Sequence, residues 1–334
     1  MTDGSPDVRI AVLDDHHRVS TDLADWASLG DDVEVVAHER HIADRDALVA
    51  TLADFDVVAL MRERTPFPAD VIDRLPRLRL LLTSGMANAS IDLEVAGRAG
   101  VTVCGTPGAL TPMIEHTWAL VFGVLRDLPR LDAAIRQGRW QEGTRLGVEL
   151  NGSRLGLLGL GRSGGAIATQ AQAFGAEVVA WSQNLTDERA AEVGAVRVTK
   201  DELFATSDVL VIALKLSERT QGLVGVDELG RMKPTARLVN ASRGPIVDEA
   251  ALVDALREGR IAGAGIDVFD DEPLAPDHPL LALDNVVLTP HMGYVTRDQY
   301  ERFYPGMVED VAAYRAGEPI RVLNADWLQD AGEG

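Results

Sequence analysis

Short apolar runs alternate with amphipathic stretches along most of the chain, and this alternation predicts its secondary structure. The runs are rich in Val, Ile and Leu, which is typical of strands buried on both faces of a parallel sheet. Segments with helical spacing, such as 43–53 and 92–99, lie between the runs, as in βαβ units. In the first third of the chain, the predicted strands are Arg9–Leu13, Val33–Ala37, Asp56–Leu60, Leu78–Leu82 and Val101–Cys104.

A break near Thr106-Pro107-Gly108 separates this series from a second one. The break leads into a long helical pattern that opens at Thr111-Pro112, where a proline suits the first helical turn. The second series predicts strands at Arg154–Gly159, Glu177–Trp181, Asp208–Leu214, Ala236–Ala241, Ala262–Val268 and Val286–Thr289, with a helical tail over 297–316. Two α/β units of about five or six strands each are therefore expected, and ligands of such folds bind beyond the carboxyl ends of the strands.

Acidic residues outnumber basic ones, 52 Asp and Glu against 32 Lys and Arg, so the 334-residue chain has a formal net charge of −20. A surface of that sign repels nucleic acid and anionic membranes, and neither is an expected partner. A small anionic substrate remains compatible, because a few arginines in a cleft reverse the local field. The single cysteine, Cys104, excludes an intrachain disulfide and a cysteine-based metal cluster, and no metal site is predicted.

The N-terminal segment MTDGSPDVRI lacks the basic and apolar regions of a signal peptide. Elsewhere, no apolar run approaches the roughly 20 residues that a transmembrane helix needs. The cytoplasm is therefore the expected location.

One glycine-rich motif, GLGRSG at residues 159–164, stands directly between a predicted strand and a predicted helix. In this context Gly159 allows a tight turn, Gly161 lets the backbone approach a pyrophosphate, and Gly164 lets the helix pack on the strand. The positive N-terminus of the helix favours the phosphates. A turn that binds nothing is the alternative, but the flanking strand and helix favour a dinucleotide. The residues assigned to it are Gly159, Gly161, Arg162, Ser163 and Gly164.

The position after the next predicted strand bears on the choice between NAD and NADP. Dinucleotide-binding folds often carry an Asp or Glu there, which holds the ribose hydroxyls of the adenosine. Here the residue is Ser182, followed by Gln183 and Asn184, so the segment has no carboxylate to repel a 2′-phosphate and no arginine to attract one. NAD is the expected cofactor because the cation that a phosphate needs is missing, and NADP stays open.

Three later segments place polar residues where predicted strands end: NASRGPIVDEAAL at 240–252, GIDVFDDEP at 265–273 and LTPHMG at 288–293. Together with the glycine motif, these segments resemble the D-isomer-specific 2-hydroxyacid dehydrogenase family in order and spacing. The resemblance extends over essentially the whole chain, and four ordered motifs are far more specific than any one of them.

The resemblance implies an α/β protein of two doubly wound parallel-sheet domains. A Rossmann cofactor domain, residues 108–296, would be inserted into a flavodoxin-like substrate domain made of residues 1–107 and 297–334. Members of the family dimerise through a long helical region that corresponds to Trp118–Trp140, so a homodimer is expected.

The resemblance also implies hydride transfer between a nicotinamide cofactor and C2 of a small D-2-hydroxy acid or 2-keto acid. Such a reaction needs a group that takes or returns the hydroxyl proton, and histidine is the residue suited to this near neutral pH. A carboxylate on the other ring nitrogen fixes the tautomer, and a forked arginine binds the carboxylate and carbonyl oxygens of the substrate. By resemblance, these catalytic residues are Arg243, Glu272 and His291. By the same resemblance, the further cofactor-binding residues are Ala241, Asp267 and Gly293, and Asp267 is expected to accept a hydrogen bond from the nicotinamide carboxamide.

Substrate contacts are expected in the first α/β unit. By resemblance, Arg62 faces the substrate, and the turn of Gly85, Met86 and Ala87 offers backbone N–H groups to its carboxylate. Tyr294 stands where a smaller residue is common in the family, which narrows the expected pocket. The remaining histidines, which the motifs leave out, are interpreted as surface or structural: His16, His17, His38, His41, His116 and His278.

Two alternatives remain at this stage. Some proteins of this fold bind NAD(H) as a sensor or as a corepressor-like scaffold and keep the three catalytic residue types. Others oxidise formate or phosphite instead of a 2-hydroxy acid. Turnover of several 2-keto acids would argue against both.

Overall fold

Two α/β units make up the part of the chain that the computed structural model describes, residues 7–141 and 143–328. One unit contains the described residues up to Ala109 together with those from Val295 onward, and we call it the discontinuous unit. The other runs without interruption from Leu110 to Tyr294, and we call it the continuous unit.

The discontinuous unit is built on a parallel sheet with the order β2-β1-β3-β4-β5. This order is that of flavodoxin-like sheets, whose ligands bind where the order reverses, beyond the carboxyl ends of β1 and β3. The strands are β1 (Val8–Val12), β2 (Val33–Ala37), β3 (Val57–Leu60), β4 (Leu80–Ser84) and β5 (Thr102–Thr106).

The continuous unit is built on a longer parallel sheet with the order β12-β11-β10-β9-β6-β7-β8. The order reverses between β6 and β9, which is the arrangement of a Rossmann dinucleotide-binding sheet with one added strand. The strands are β6 (Arg154–Leu158), β7 (Glu177–Trp181), β8 (Val196–Arg197), β9 (Val209–Ile212), β10 (Arg237–Asn240), β11 (Gly263–Ile266) and β12 (Val286–Leu288).

The strand count of the continuous unit corrects the sequence-based expectation of five or six. The described residues form seven strands there, and the unpredicted one is β8. It has two residues, both exposed, and it pairs with β7 at the edge of the sheet, Val196 with Val179 and Arg197 with Ala180. An edge strand that buries no side chain leaves no apolar run in the sequence, so the pattern could not reveal it.

The helical pattern that opens at Thr111 also differs from the expected single long helix. It divides at Arg126–Asp127, and Asp127 has a φ of +53°, a left-handed conformation that a continuing helix does not allow. The helices of the described residues are α1 (Arg45–Leu52), α2 (Ala69–Ile72), α3 (Leu93–Arg98), α4 (Thr111–Leu125), α5 (Leu128–Arg136), α6 (Arg162–Ala173), α7 (Asp187–Ala191), α8 (Lys200–Thr206), α9 (Val226–Arg231), α10 (Glu249–Arg257), α11 (Arg297–Arg315) and α12 (Ala325–Leu328).

Helices cover both faces of each sheet, so most residues of the central strands are buried. Leu60, Leu81, Leu210 and Leu238 have no exposed surface. Each such side chain contributes about 2–3 kcal/mol by leaving water. The strands therefore form rigid supports, and the polar residues that follow them are held at defined places along the sheet edge. Within the described residues, we find no helix with the length and apolar character needed to span a bilayer.

Candidate active site

The glycine-rich turn joins β6 to α6 in the continuous unit. Gly159 has a φ of +105°, and a Cβ atom there would lie 2.7 Å from the carbonyl oxygen of Ala213. A Cβ atom on Gly164 would collide with the carbonyl oxygen of Gly159, so both positions require glycine. Gly161 differs, because no described atom outside its immediate neighbours lies within 4 Å of its Cβ position. The turn therefore exposes a backbone that a phosphate can approach, directly at the N-terminus of α6.

The segment after β7 is polar and uncharged, as read from the sequence. Ser182 is half-buried, and its carbonyl oxygen accepts a hydrogen bond from the Leu185 N–H at 3.1 Å. Gln183 and Asn184 are exposed. Arg162, in the first turn of α6, is also exposed. The pyrophosphate and ribose positions of a dinucleotide thus fit the residues present, and the segment after β7 carries neither sign of charge.

Arg243 lies just beyond β10, and its backbone is held by the last residue of that strand. The side-chain amide of Asn240 donates to the Arg243 carbonyl oxygen at 3.0 Å, and the Asn240 side-chain oxygen accepts the Ser242 N–H at 3.0 Å. A Cβ atom on Gly244 would collide with the backbone of Phe269, so the chain after β10 packs directly on the chain after β11. Buried Asn240 thereby fixes the backbone position from which the half-buried side chain of Arg243 extends.

His291 and Glu272, which follow β12 and β11, form a hydrogen-bonded pair. The Nδ1 atom of His291 lies 2.6 Å from Oε2 of Glu272. The other carboxylate oxygen accepts the backbone N–H of Phe269 at 2.9 Å. The imidazole is 18% exposed and the carboxylate 33% exposed, so the pair is accessible without being fully solvated. Its geometry suits an imidazole whose Nε2 gives or takes a proton while the carboxylate orients the ring.

Asp267 is fully buried at the end of β11 and binds the segment that carries His291. Its Oδ1 accepts the Thr289 hydroxyl at 2.6 Å and the Met292 N–H at 2.7 Å, and its Oδ2 accepts the Gly293 N–H at 2.9 Å. Burial raises the pKa of the Asp267 carboxyl, but the hydrogen bonds from His116, Thr289 and the Met292 amide outweigh it and hold the pKa below its ordinary value. The carboxylate is thus ionised and surrounded by donors.

His116, on α4, lies outside the sequence motifs but contacts the carboxylate of Asp267. Its Nε2 lies 3.1 Å from Oδ1 of Asp267 and 2.9 Å from Oγ1 of Thr289. These contacts are compatible with the interpretation of His116 as a structural histidine, and they identify its partners. In the sequence His116 stands between Glu115 and Thr117, and this local context indicates neither its burial nor its partners.

In the discontinuous unit, the structure brings Arg62 and the turn after β4 together. The Arg62 N–H donates to Oγ of Ser84 at 2.8 Å, and its guanidinium donates to the Ser84 carbonyl oxygen at 3.4 Å. A Cβ atom on Gly85 would collide with that guanidinium. The Gly85 N–H donates to the Thr106 hydroxyl at 3.3 Å, so this amide already has an acceptor.

The next two residues of that turn, Met86 and Ala87, are exposed. Of the three amides expected to face a carboxylate, theirs are therefore the stronger candidates, since the Gly85 N–H is engaged within the unit.

The parallel sheet and the glycine-rich turn define a dinucleotide-binding protein, and a histidine–carboxylate pair lies in the same unit. Comparison with known proteins gives the particular family. The model of the D-isomer specific 2-hydroxyacid dehydrogenase NAD binding domain matches residues 118–293. The chain belongs to the D-isomer specific 2-hydroxyacid dehydrogenase family.

Individual relatives support this assignment. A glyoxylate reductase of Aeropyrum pernix is 41% identical over 266 residues, which cover 77% of this chain and 79% of the relative. A D-3-phosphoglycerate dehydrogenase of Archaeoglobus fulgidus is 35% identical over 278 residues, which cover 83% of this chain and 53% of the relative. The crystal structure of a phosphoglycerate oxidoreductase from Vibrio cholerae superposes with a TM-score of 0.88 at 32% identity, covering 93% of this chain and 99% of that one.

The chain spans about half the length of the D-3-phosphoglycerate dehydrogenases that it matches, 53% in one case and 55% in another. It spans most of the length of the glyoxylate reductases, up to 90% for that of Pyrococcus furiosus.

Proposed function

We propose that the protein is a D-2-hydroxyacid dehydrogenase that interconverts a small 2-keto acid and its D-2-hydroxy acid with a nicotinamide cofactor. The observation that carries the proposal is the 2.6 Å contact between His291 and Glu272, in the same unit as the glycine-rich turn. Family membership supports the reaction class.

His291 would move the proton of the substrate hydroxyl through Nε2, because Nδ1 faces Glu272. Glu272, held by the Phe269 N–H, would keep the ring in one tautomer and stabilise the imidazolium. Arg243 would bind the substrate carboxylate and the C2 oxygen with its forked donors. When bound, the nicotinamide cofactor supplies or accepts the hydride at C2. Asp267, with Ala241 and Gly293, would line the nicotinamide end.

NAD is the cofactor we propose, with NADP as the alternative. Support comes from the segment after β7, where Ser182 and the two residues that follow it carry no charge. A 2′-phosphate would find no paired guanidinium in that segment, whereas ribose hydroxyls can bond to a serine hydroxyl.

A small, unphosphorylated acid is the proposed substrate. In the discontinuous unit, Arg62 and the amides of Met86 and Ala87 are the proposed contacts for one carboxylate. Arg64, the other arginine of that segment, donates to the carbonyl oxygen of Asp14 at 3.2 Å. That internal bond argues against Arg64 as a second anion clamp, which a phosphorylated substrate would need.

We further propose that the protein acts as a homodimer in the cytoplasm. Support for the dimer comes from apolar side chains on and after α5, where Trp140 is 76% exposed and Leu128 and Ile135 are about half exposed. Light scattering of the purified protein tests this, with Trp140→Glu and Ile135→Glu expected to shift the mass toward a monomer.

The test of the reaction is an absorbance assay of NADH and NADPH oxidation with glyoxylate, hydroxypyruvate, pyruvate, phenylpyruvate and 2-ketobutyrate. We expect turnover of more than one acid, faster with NADH, and a D-configured product. Tight cofactor binding without turnover of any acid would favour a sensor role. Reduction of NAD by formate or phosphite alone would favour the oxyanion alternative.

A further inference from the structure

The segment Thr289–Gly293, which we call the His291 loop, is tied to one buried carboxylate. Asp267 accepts three hydrogen bonds from this loop through its side chain, from the Thr289 hydroxyl and the Met292 and Gly293 amides. Its backbone carbonyl oxygen accepts a fourth, from the His291 N–H at 2.8 Å. The loop leaves the sheet after β12 and depends on this residue for most of its backbone bonds.

His291 has a left-handed backbone conformation, which the contacts around the loop hold in place. Its φ is +54°, in a region that only a few per cent of residues other than glycine adopt, although histidine is among the residue types found there more often. Such conformations persist only where surrounding contacts over-determine them. In this conformation Nδ1 meets Glu272, so the loop geometry and the catalytic pair are set together.

His116 completes the tie from a separate element, helix α4. Asp267 can only accept, and the Thr289 hydroxyl donates its proton to Oδ1 of Asp267. Both partners of His116 Nε2 are therefore acceptors, so Nε2 carries a proton and donates. The ring also lies against the end of the loop, because a Cβ atom on Gly293 would be 3.9 Å from Cδ2 of His116.

We propose that His116 is a positioning residue, whose Nε2–H donation to Asp267 and Thr289 keeps the His291 loop in the conformation that pairs His291 with Glu272. The inference rests on the proposed function for its kinetic consequence, but not for its structural one. It assigns a role in the reaction to helix α4, which is the first helix of the continuous unit and lies outside the four sequence motifs.

Two variants of His116 separate donation from packing. His116→Leu removes the Nε2–H donor and puts an apolar side chain of similar bulk in its place. His116→Gln restores an N–H donor, that of its side-chain amide, close to the Nε2 position. Thr117→Val is the matched control, because it removes the neighbouring side-chain hydrogen bond on the same helix, from Thr117 Oγ1 to the Met113 carbonyl oxygen at 2.8 Å.

With NADH and a 2-keto acid, we expect His116→Leu to lower kcat about tenfold or more while the KM for the acid changes by about twofold or less. His116→Gln should recover most of kcat, and Thr117→Val should behave as the wild type. Equal kcat in His116→Leu and Thr117→Val, or equal losses in the Leu and Gln variants, would overturn the proposal.

Amide hydrogen exchange of the apo protein provides a readout that needs neither cofactor nor substrate. The amides of the His291 loop should exchange about tenfold faster in His116→Leu than in the wild type, with exchange elsewhere and the thermal midpoint close to those of Thr117→Val. Unchanged exchange of these amides would contradict the proposal that His116 holds the loop in place. If His116→Leu does not fold, His116→Phe keeps an aromatic ring at this position without the Nε2–H donor and should give the same two effects.

The two arms distinguish the possible failures. If the wild type reduces no 2-keto acid, the proposed function fails, and the exchange experiment still decides whether His116 holds the loop. If the wild type is active and both arms leave His116→Leu unchanged, the function stands and the role of His116 is wrong.

Discussion

The imidazole Nδ1 of His291 lies 2.6 Å from the carboxylate of Glu272, although 19 residues separate them in the sequence. Each residue follows its own strand, and the neighbouring strands β11 and β12 bring the two side chains to one edge of the sheet. The Phe269 N–H binds the other oxygen of the carboxylate, so the ring and the carboxylate have one defined arrangement. Nε2 is the ring nitrogen that does not face Glu272, and it is the one we propose for the substrate.

Glu272→Gln tests the orienting role of the carboxylate. The amide keeps the shape of the side chain but has no negative charge to stabilise an imidazolium, so kcat should fall about 10²-fold. Steady-state kinetics measures the loss, and the fluorescence of bound NADH should show an unchanged Kd. Wild-type kcat in the variant would show that the pair is only structural.

Arg243→Lys tests the forked recognition of the substrate. Lysine preserves the charge but cannot form two parallel hydrogen bonds, so the KM for the 2-keto acid should rise roughly tenfold, and Arg243→Ala should lose more. A variant whose KM matches that of the wild type would place the substrate carboxylate elsewhere.

The sequence predicted the strands wherever they are buried, because burial on both faces leaves a short apolar run. It did not predict β8, whose residues are exposed. The glycine motif was readable because Gly159 and Gly164 are required by local geometry that their neighbours create. His116 was not readable, because its partner Asp267 is 151 residues away and helical spacing carries no information about that contact. Resemblance to a family supplied roles for Arg62 and Asp267 that spacing alone could not give.

Asp310 provides a pH-dependent test of the discontinuous unit. Burial raises the pKa of this carboxyl to about 6, against the opposing hydrogen bond from Arg321. Because the folded pKa exceeds the unfolded one, the wild type loses stability as pH rises from about 4 to about 6, by up to about 3 kcal/mol. Urea unfolding should show that, as pH rises over this interval, the free energy of unfolding of the wild type falls relative to that of Asp310→Asn. A difference independent of pH would contradict the raised pKa.

Cys104 should be chemically inert in the native protein. The thiol is fully buried on β5, and burial raises its pKa to about 12, so almost no thiolate forms near neutral pH. A chromogenic disulfide reagent should react slowly with the folded protein and rapidly in urea. Fast reaction without denaturant would show that β5 opens far more readily than its burial indicates.

A stopped-flow experiment tests the proton-transfer role of His291 most directly. Wild type and His291→Asn are each preloaded with NADH and mixed with a 2-keto acid that the wild type reduces. Asparagine can hydrogen-bond to Glu272 but cannot transfer a proton near neutral pH. We predict equal NADH binding and a hydride-transfer rate about 10³-fold lower in the variant. A variant that oxidises NADH at the wild-type rate would contradict the assignment of His291 as the proton donor and acceptor.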